Sequence, residues 1–258
     1  MLIDTHTHIY LEEFDDDRDE VIVRSLSSGI EKLFLPNIDS GSIENMLALA
    51  EKYPKICYPM IGLHPGSVSE NFLDELELLK TYFDKNKFIG VGEIGIDLYW
   101  DKTYKNEQEK AFEIQLNWAK EYSLPVVIHA RESFNEIYKV LDKVYENGMK
   151  GVFHSFTGSS KDVEKIKEYD FYYGINGILS FKNSHLPNIL KSIPKNRLLL
   201  ETDSPYLAPM PKRGKRNESS FLKYTCEKLA ETLSIEVKEV EEFTTRNALD
   251  LFFGTDGF

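Results

Sequence analysis

The sequence predicts an α/β fold and, within that class, a (β/α)8 TIM barrel. Eight short apolar runs alternate with segments of helical periodicity along the 258 residues, which is the pattern of successive βα units. The runs at 124–128 and 197–200 are nearly continuous in apolar residues, as parallel strands covered on both faces are. A doubly wound open sheet is the alternative architecture for the same pattern.

The composition is that of an ordinary globular protein, with 41% apolar and 29% charged residues. A net charge of -12 argues against wrapping duplex DNA by charge alone, because such binding needs many cationic contacts to phosphates. It leaves open a phosphate-bearing substrate held by bound metal ions. The sequence shows no internal repeat or linker, so we predict one domain spanning residues 1–258.

Cys57 and Cys226 lie far apart and in no metal-binding spacing. We expect free, packed thiols in a reducing compartment. The N-terminus lacks a signal-peptide pattern, and no apolar run is long enough to span a membrane. The sequence therefore predicts a cytoplasmic protein without membrane association, and nothing in it indicates an obligate protein partner.

The elements are predicted in the following order. The strands are expected at 2–3, 33–36, 56–61, 88–93, 124–129, 151–154, 171–175 and 197–203. The acidic segment 12–20 precedes a first helix whose apolar face is expected to carry Val21, Val23, Leu26 and Ile30. The remaining helices are expected at 42–53, 69–83, 106–122, 134–145, 161–167, 186–192, 219–233 and 236–253.

Histidines concentrate where the predicted strands end. His6 and His8 are two residues apart on a strand, so their side chains point to one face and can bind one metal ion together. A single buried histidine is more often a hydrogen-bonded core residue than a ligand. However, five of the six histidines fall at one rim of the predicted barrel, where barrel enzymes carry their chemistry: His6, His8, His64, His129 and His154.

Two carboxylates extend this set. Glu93 ends a strand of glycines and aliphatic residues, where a buried acid is costly unless it is paired or metal-bound. An ion pair with Arg131 is the alternative. Asp203 follows the eighth run, and its alternative is a helix cap or turn residue before Ser-Pro. Glu201 and Thr202 are competitors for its metal role.

Six candidate ligands are consistent with two divalent ions bridged by Glu93. One ion would take His6, His8, Glu93 and Asp203, and the other Glu93, His129 and His154. Such a pair lowers the pKa of a bound water and holds phosphate oxygens, with Asp203 as general base. No lysine closes a predicted strand, so Glu93 is favoured over a modified lysine as the bridge. Histidines suit Zn²⁺ or Mn²⁺, whereas Mg²⁺ prefers oxygen ligands.

Two further segments bear on the substrate. The loop at 210–218 carries Lys212, Arg213, Lys215 and Arg216, which suit phosphate, although a solvated surface loop explains the composition equally well. Tyr99 and Trp100 follow the fourth strand and could stack on a base. For Trp100 we expect packing against the barrel rim instead.

The ordered series of motifs resembles the TatD family of metal-dependent deoxyribonucleases, which are amidohydrolase-like TIM barrels. The matching segments are 3–8, 62–65, 92–97, 108–116, 124–131, 154–158, 200–207, 213–218 and 245–248. Two departures stand out. Many relatives have histidine where this chain has Gly66, and proline where it has Ser219.

The resemblance implies hydrolysis of DNA phosphodiester bonds, often as a 3′-to-5′ exonuclease on single strands, in repair or DNA breakdown. It implies the same six metal ligands. It also points to supporting or substrate-contacting roles for His64, Asp97, Arg131 and Arg216. The alternatives are an amide or ester hydrolase on the same scaffold, with a substrate that could be linked to tRNA, and a non-catalytic binding module. The basic loop favours a phosphate-bearing substrate, and a binding module has little need of a water-activating carboxylate.

Overall fold

Eight parallel strands form a closed barrel in a computed structural model that describes residues 1–83 and 85–254. The strands are β1 (Leu2–Asp4), β2 (Ile30–Pro36), β3 (Cys57–Met60), β4 (Val91–Asp97), β5 (Val126–Arg131), β6 (Gly151–Phe153), β7 (Tyr172–Ile175) and β8 (Leu198–Leu200). The helices in these described residues are α1 (Arg18–Ser27), α2 (Ile43–Lys52), α3 (Phe72–Lys80), α4 (Lys105–Tyr122), α5 (Phe134–Val144), α6 (Ser160–Glu168), α7 (Leu186–Ile189), α8 (Leu222–Leu233) and α9 (Val237–Phe252).

Hydrogen bonds close the barrel at the two places where the regular strand ladders are interrupted. Between β3 and β4, the amide of Ile61 donates to the carbonyl of Gly90 at 3.1 Å, and the amide of Gly92 donates to the carbonyl of Ile61 at 2.8 Å. Between β8 and β1, the amide of Thr5 donates to the carbonyl of Leu200 at 3.1 Å. The predicted barrel is confirmed, and the open doubly wound sheet is wrong.

The strand ends differ from the predicted ones at both predicted carboxylate ligands. β4 continues to Asp97, so Glu93 lies inside the strand rather than at its end. β8 stops at Leu200, three residues short of the prediction. The backbone leaves the ladder there because the amide of Thr202 donates to the Asp4 carboxylate at 2.9 Å, and Asp203 adopts a left-handed φ of 59°.

The first helix also differs. Val21 is buried as predicted, but Ile30 starts β2, and Val23 and Leu26 are 60% and 40% exposed, so the rest of the predicted apolar face is wrong. The buried positions are Val21, Ile22 and Ser25, which form the neighbouring stripe at helical spacing. Two apolar stripes competed in this segment, and tertiary packing decided between them.

The barrel interior is apolar at its N-terminal end and polar at its C-terminal end. Side chains from seven strands pack with Ala248, Leu251 and Phe252 of α9, which covers the N-terminal opening. Among the described residues, the polar half opens into a cavity on the C-terminal side. The two cysteines are free and buried, as expected. No helix within the described residues is long and apolar enough to cross a membrane.

Candidate metal centre

Six side chains converge inside the C-terminal half of the barrel and form what we call the ligand cluster: His6, His8, Glu93, His129, His154 and Asp203. His6 and His8 follow β1, His154 follows β6 and Asp203 follows β8, whereas Glu93 and His129 project from β4 and β5. Parallel strands of a closed barrel end at one rim, so residues nearly two hundred positions apart meet here.

The first part of the cluster lies around one oxygen of Glu93. The Nε2 atoms of His6 and His8 are 3.2 Å apart, and Oε2 of Glu93 is 3.1 Å from Nε2 of His6. Oδ1 of Asp203 lies 3.5 Å from Nε2 of His8 and 3.7 Å from Nε2 of His6. Ligand atoms about 2.1 Å from a tetrahedral ion would lie about 3.4 Å from one another. The spacing and the mixed nitrogen and oxygen set therefore fit a metal ion.

The other oxygen of Glu93 faces a different set of histidines. Oε1 lies 2.7 Å from Nδ1 of His129, 3.5 Å from Nε2 of His64 and 3.6 Å from Nε2 of His154. Glu93 therefore presents one oxygen to each set, as a bridging carboxylate would. The alternative ion pair between Glu93 and Arg131 is absent from the described part of the chain and is wrong.

The candidate ligands form three overlapping groups, each close enough to hold one ion. The structure groups His6, His8 and Asp203, then His6, Glu93 and His154, and then His64, Glu93 and His129. His64 thus joins a potential ligand set, although sequence reasoning gave it only a supporting or substrate-contacting role. The signal was present, because His64 is one of the five histidines at predicted strand ends.

Asp97 orients His129 from the side opposite Glu93. Oδ2 of Asp97 lies 2.9 Å from Nε2 of His129, so both ring nitrogens face carboxylates. Burial opposes protonation of His129, but the hydrogen bonds to Asp97 and Glu93 outweigh it and raise the pKa of His129 to about 9. A carboxylate behind a ligand histidine fixes the orientation of its ring. The geometry therefore gives Asp97 a positioning contact.

Glu201 lies behind His154 in a similar way, and sequence reasoning missed this role. Oε1 of Glu201 lies 2.9 Å from Nδ1 of His154 and accepts a hydrogen bond from the amide of Ser155 at 2.6 Å. Burial opposes protonation of His154, but Glu201, Glu93 and Asp203 raise its pKa to about 9. A β-carbon at residue 174 would overlap the Glu201 carboxylate, so only glycine leaves room for it.

Asp4 is a second buried carboxylate that sequence reasoning missed. It accepts hydrogen bonds from the amide and hydroxyl of Thr202 at 2.9 and 2.6 Å, and from the amide of His6 at 3.4 Å. Asp4 thereby ties β1 to the segment that carries Asp203. Asp203 itself begins a turn, since its carbonyl accepts from the amide of Tyr206 at 2.9 Å, yet its carboxylate faces the histidines.

The carboxylates of the cluster are ionised. Burial alone would raise the pKa of Glu93, but the charges of His154, His6 and His64 hold it well below its usual range. Burial likewise opposes ionisation of Asp203, while His154 and His8 lower its pKa. Ionised carboxylates among imidazoles are the donor set that divalent transition metals and Zn²⁺ prefer.

A cavity of about 1100 Å³ opens above the ligand cluster. His64, Asp97 and Gly66 line it, and Arg131, Trp100 and Tyr206 form what we call its outer wall. Trp100 is 78% exposed, so the expected packing against the barrel rim is wrong. Gly66 donates its amide hydrogen to Nδ1 of His64 at 2.9 Å, which fixes that ring.

Arg216 does not line this cavity. Its guanidinium donates to the carbonyl of Glu13 at 2.6 Å and to Oδ2 of Asp17 at 2.8 Å, and it covers the ring of Phe14. Arg24 joins this network through Asp17 and Glu218. The structure therefore attaches the basic loop to the start of α1.

Comparison with known proteins gives the following matches. The family model for TatD related DNase matches residues 3–253. The chain is 36% identical over 253 residues to the uncharacterized metal-dependent hydrolase YabD of Bacillus subtilis strain 168, covering 98% of this chain and 99% of the relative. It is 29% identical to the 3′-5′ ssDNA/RNA exonuclease TatD of Erwinia tasmaniensis, and the match covers 97% of this chain and 99% of the relative. The crystal structure of YjjV, a TatD homolog from Escherichia coli K12, matches with a TM-score of 0.91 and 28% identity over 97% of both chains.

Proposed function

The chain belongs to the family of TatD-related DNases, and from that premise we propose that it hydrolyses phosphodiester bonds of single-stranded DNA from the 3′ end. It is a metal-dependent hydrolase of this family. The observation that carries the proposal is the geometry of Glu93, whose two oxygens face separate sets of histidines at the base of one cavity. The name of the Erwinia relative, a 3′-5′ ssDNA/RNA exonuclease, supports a single-stranded substrate and cleavage from its 3′ end.

We assign two divalent ions to the ligand cluster. His6, His8, Asp203 and Oε2 of Glu93 would hold one ion, and Oε1 of Glu93 would hold the other with His129 and either His154 or His64. Metal ions bound there supply Lewis acidity, which eases the deprotonation of water and stabilises charge on phosphate oxygens. Mn²⁺ and Zn²⁺ suit the histidine-rich set best, and Mg²⁺ is the third candidate.

Asp203 and Glu93 carry the catalytic roles in this proposal. Asp203 lies at the base of the cavity and is ionised, so it can accept a proton from the attacking water. The water oxygen forms a bond to phosphorus while the bond between phosphorus and the 3′ oxygen breaks, and the 3′ oxygen leaves as a hydroxyl after taking a proton from solvent. Glu93 is buried at the base of the cavity and keeps the surrounding histidines in place.

Substrate contact is assigned to the groups that face the cavity. Arg131 lines the cavity and forms no salt bridge among the described residues, although its charge acts on nearby Asp97, so the edge of its guanidinium can bind phosphate. His64 and Asp97 also line it. Arg216 is held by Asp17, so a contact between Arg216 and substrate requires that this pairing be exchanged.

The test is a nuclease assay with protein purified without chelator. We expect stepwise shortening of a 5′-labelled single-stranded oligonucleotide with Mn²⁺ or Mg²⁺, slower shortening of a duplex, and complete loss with a chelator. RNA is assayed in parallel. Elemental analysis of the same protein identifies the metal.

Asp203→Asn is the matched variant, because it preserves the shape of the side chain and removes its charge. We expect the rate to fall by about 10²–10⁴-fold, the range for loss of a general base. Undiminished activity would refute the assigned mechanism. Cleavage of amides or esters, with none of any nucleic acid, would favour the other hydrolase class.

We place this activity in the cytoplasm, in DNA repair or turnover, within a single domain of residues 1–258. Buried free thiols at Cys57 and Cys226 are compatible with a reducing compartment. Cell fractionation with an antibody against the chain checks the location.

A further inference from the structure

The chain exposes a large aromatic side chain beside the cavity. Leu98 is buried directly after β4, but Tyr99 is 48% exposed and Trp100 is 78% exposed. No large apolar side chain in the described ranges is more exposed than Trp100. Leaving an indole in water forgoes the free energy of burying one of the largest apolar surfaces in proteins. An exposed tryptophan at the edge of a reactive cavity therefore needs an explanation.

Arg131 holds the two aromatic residues in a defined arrangement. Its Cζ lies 3.9 Å from the ring centroid of Tyr99 and 5.3 Å from that of Trp100. The two aromatic rings are perpendicular, with centroids 4.8 Å apart. We call these three residues the stacking platform. Strand register supports it, because the amide of Leu98 donates to the carbonyl of Arg131 at 3.0 Å.

A side-chain turn fixes the direction in which the platform leaves the barrel. Oδ1 of Asp97 accepts a hydrogen bond from the amide of Tyr99 at 2.9 Å, while its other oxygen faces His129. One carboxylate thus orients both a histidine of the ligand cluster and the start of the platform. The distance between platform and ligand cluster is therefore set by the fold.

Trp100 and Arg131 line the same cavity as His8, Glu93 and Asp203, whereas Tyr99 lies behind Arg131. The cavity volume of about 1100 Å³ is slightly above the roughly 300–1,000 Å³ typical of small-molecule pockets. A strand of more than one nucleotide can therefore occupy it. A phosphate at the ligand cluster would leave neighbouring bases near the platform.

We propose that Trp100 and Arg131 form a stacking subsite for an unpaired nucleobase of the substrate strand, next to the nucleotide that is cleaved. This subsite rests on the proposed nuclease function. Every nucleobase has an aromatic face, so the subsite accepts any sequence. A base inside a duplex has both faces covered by its neighbours, so the subsite favours single strands.

Binding and hydrolysis are measured separately on the full-length protein. The binding probe is an eight-nucleotide oligothymidylate with chelator present, followed by intrinsic tryptophan fluorescence. Trp118 is 4% exposed, so quenching reports mainly on Trp100. We expect Trp100→Ala to weaken binding about tenfold, the effect of losing one stacked base, and Trp100→Phe to restore part of it. Binding of Trp100→Ala is followed with a fluorophore on the oligonucleotide.

Hydrolysis provides the second measurement. With metal added, the loss of kcat/KM caused by Trp100→Ala should be about tenfold larger for the octanucleotide than for bis(p-nitrophenyl) phosphate, which is too short to reach the platform. Leu78→Ala is the matched control. Leu78 is also an exposed apolar side chain, but it lies on α3 and outside the cavity. This control variant should leave kcat/KM unchanged for both substrates.

Each outcome has a distinct meaning. If wild-type protein hydrolyses the octanucleotide but Trp100→Ala binds it equally well, the subsite is refuted and the nuclease function stands. If Trp100→Ala weakens binding of the labelled oligonucleotide but the wild-type protein hydrolyses none of it, the stacking subsite stands and the proposed function fails. If the wild-type protein shows no binding and no hydrolysis of the octanucleotide, both the subsite and the nuclease function are overturned. A change in sedimentation mass on Trp100→Ala would identify the platform as a contact between copies and would overturn the proposal.

Discussion

The ligand cluster and the outer wall of the cavity arise from the same strand ends but are held in different ways. His6 and Glu93 are almost fully buried, and further buried carboxylates lie behind the cluster. On the outer wall, Trp100 and Tyr206 are 78% and 49% exposed. The comparison suggests that the barrel fixes the reacting groups, whereas exposed side chains beyond the strands select the substrate.

Positioning carboxylates are the structural basis of this difference. Asp4 supports the backbone of His6, Asp97 orients His129, and Glu201 orients His154. Each comes from a barrel strand or from the residue just after one. The outer wall is supported instead by the stacking of Arg131 on Tyr99 and by the turn that Asp97 makes with the amide of Tyr99. Substitutions in the cluster should therefore change the chemistry, and those in the wall should change binding.

Glu93→Gln should produce the largest effect, because it removes the charge that faces both sets of histidines. We expect kcat to fall by about 10²–10⁴-fold and bound metal to decrease, measured by nuclease assay and elemental analysis. Glu168→Gln, which changes an exposed glutamate on α6, is the matched control. Normal metal content in Glu93→Gln would show that the cluster does not depend on a bridging carboxylate.

Glu201→Gln tests the positioning layer alone. Its carboxylate contacts His154 and the amide of Ser155, and it does not line the cavity. Removing such an outer contact commonly costs about 10–100-fold in metal affinity. We therefore expect a higher metal concentration for half-maximal activity, with partial recovery of the rate at saturating metal.

Two controls sharpen this second test. Metal affinity is also measured directly by calorimetry, which does not depend on turnover. Circular dichroism excludes unfolding as the cause. If kcat at saturating metal falls as far as in Glu93→Gln, then Glu201 is part of the reacting set, and the distinction between cluster and positioning layer is lost.

The sequence contained enough information for the barrel and for the six converging residues. Apolar runs with chemistry-bearing residues at their ends predict a common rim, because parallel strands of a barrel must end on one side. The exact position of Glu93 within β4 was missed, since it depends on pairing with β3 and β5. A local pattern does not specify that register.

Contacts between distant segments were also beyond the sequence. Arg216 and Asp17 are separated by 199 positions, so nothing local indicated that the basic loop would bind the start of α1 rather than face the cavity. The exposure of Trp100 is a similar case, because the loop after β4 carries it away from the core. Asp4 and Glu201 could have been flagged as buried acids within or beside apolar strands.

Asp17→Asn should give the smallest effect, because it alters only the support beneath the basic loop. Hydrogen bonds from Arg216 and Arg24 lower the pKa of Asp17 to about 2, from 3.8 for a free side chain. A lowered folded-state pKa stabilises the fold above pH 3.8, and this contribution disappears as the pH falls through about 2. The network is partly exposed, so we expect a loss of only about 0.5–1 kcal/mol at pH 7.

The difference in unfolding free energy between wild type and Asp17→Asn should shrink as the pH is lowered from 4 toward 2, in urea titrations at fixed ionic strength. Asp16→Asn is the control, since Asp16 is an exposed neighbour without an ion pair in the described ranges. A difference that stays constant with pH would mean that Asp17 acts through packing rather than charge. Unchanged metal affinity in this variant would agree with a basic loop whose support is independent of the cluster, whereas weakened affinity would show that the loop and the cluster are coupled through α1.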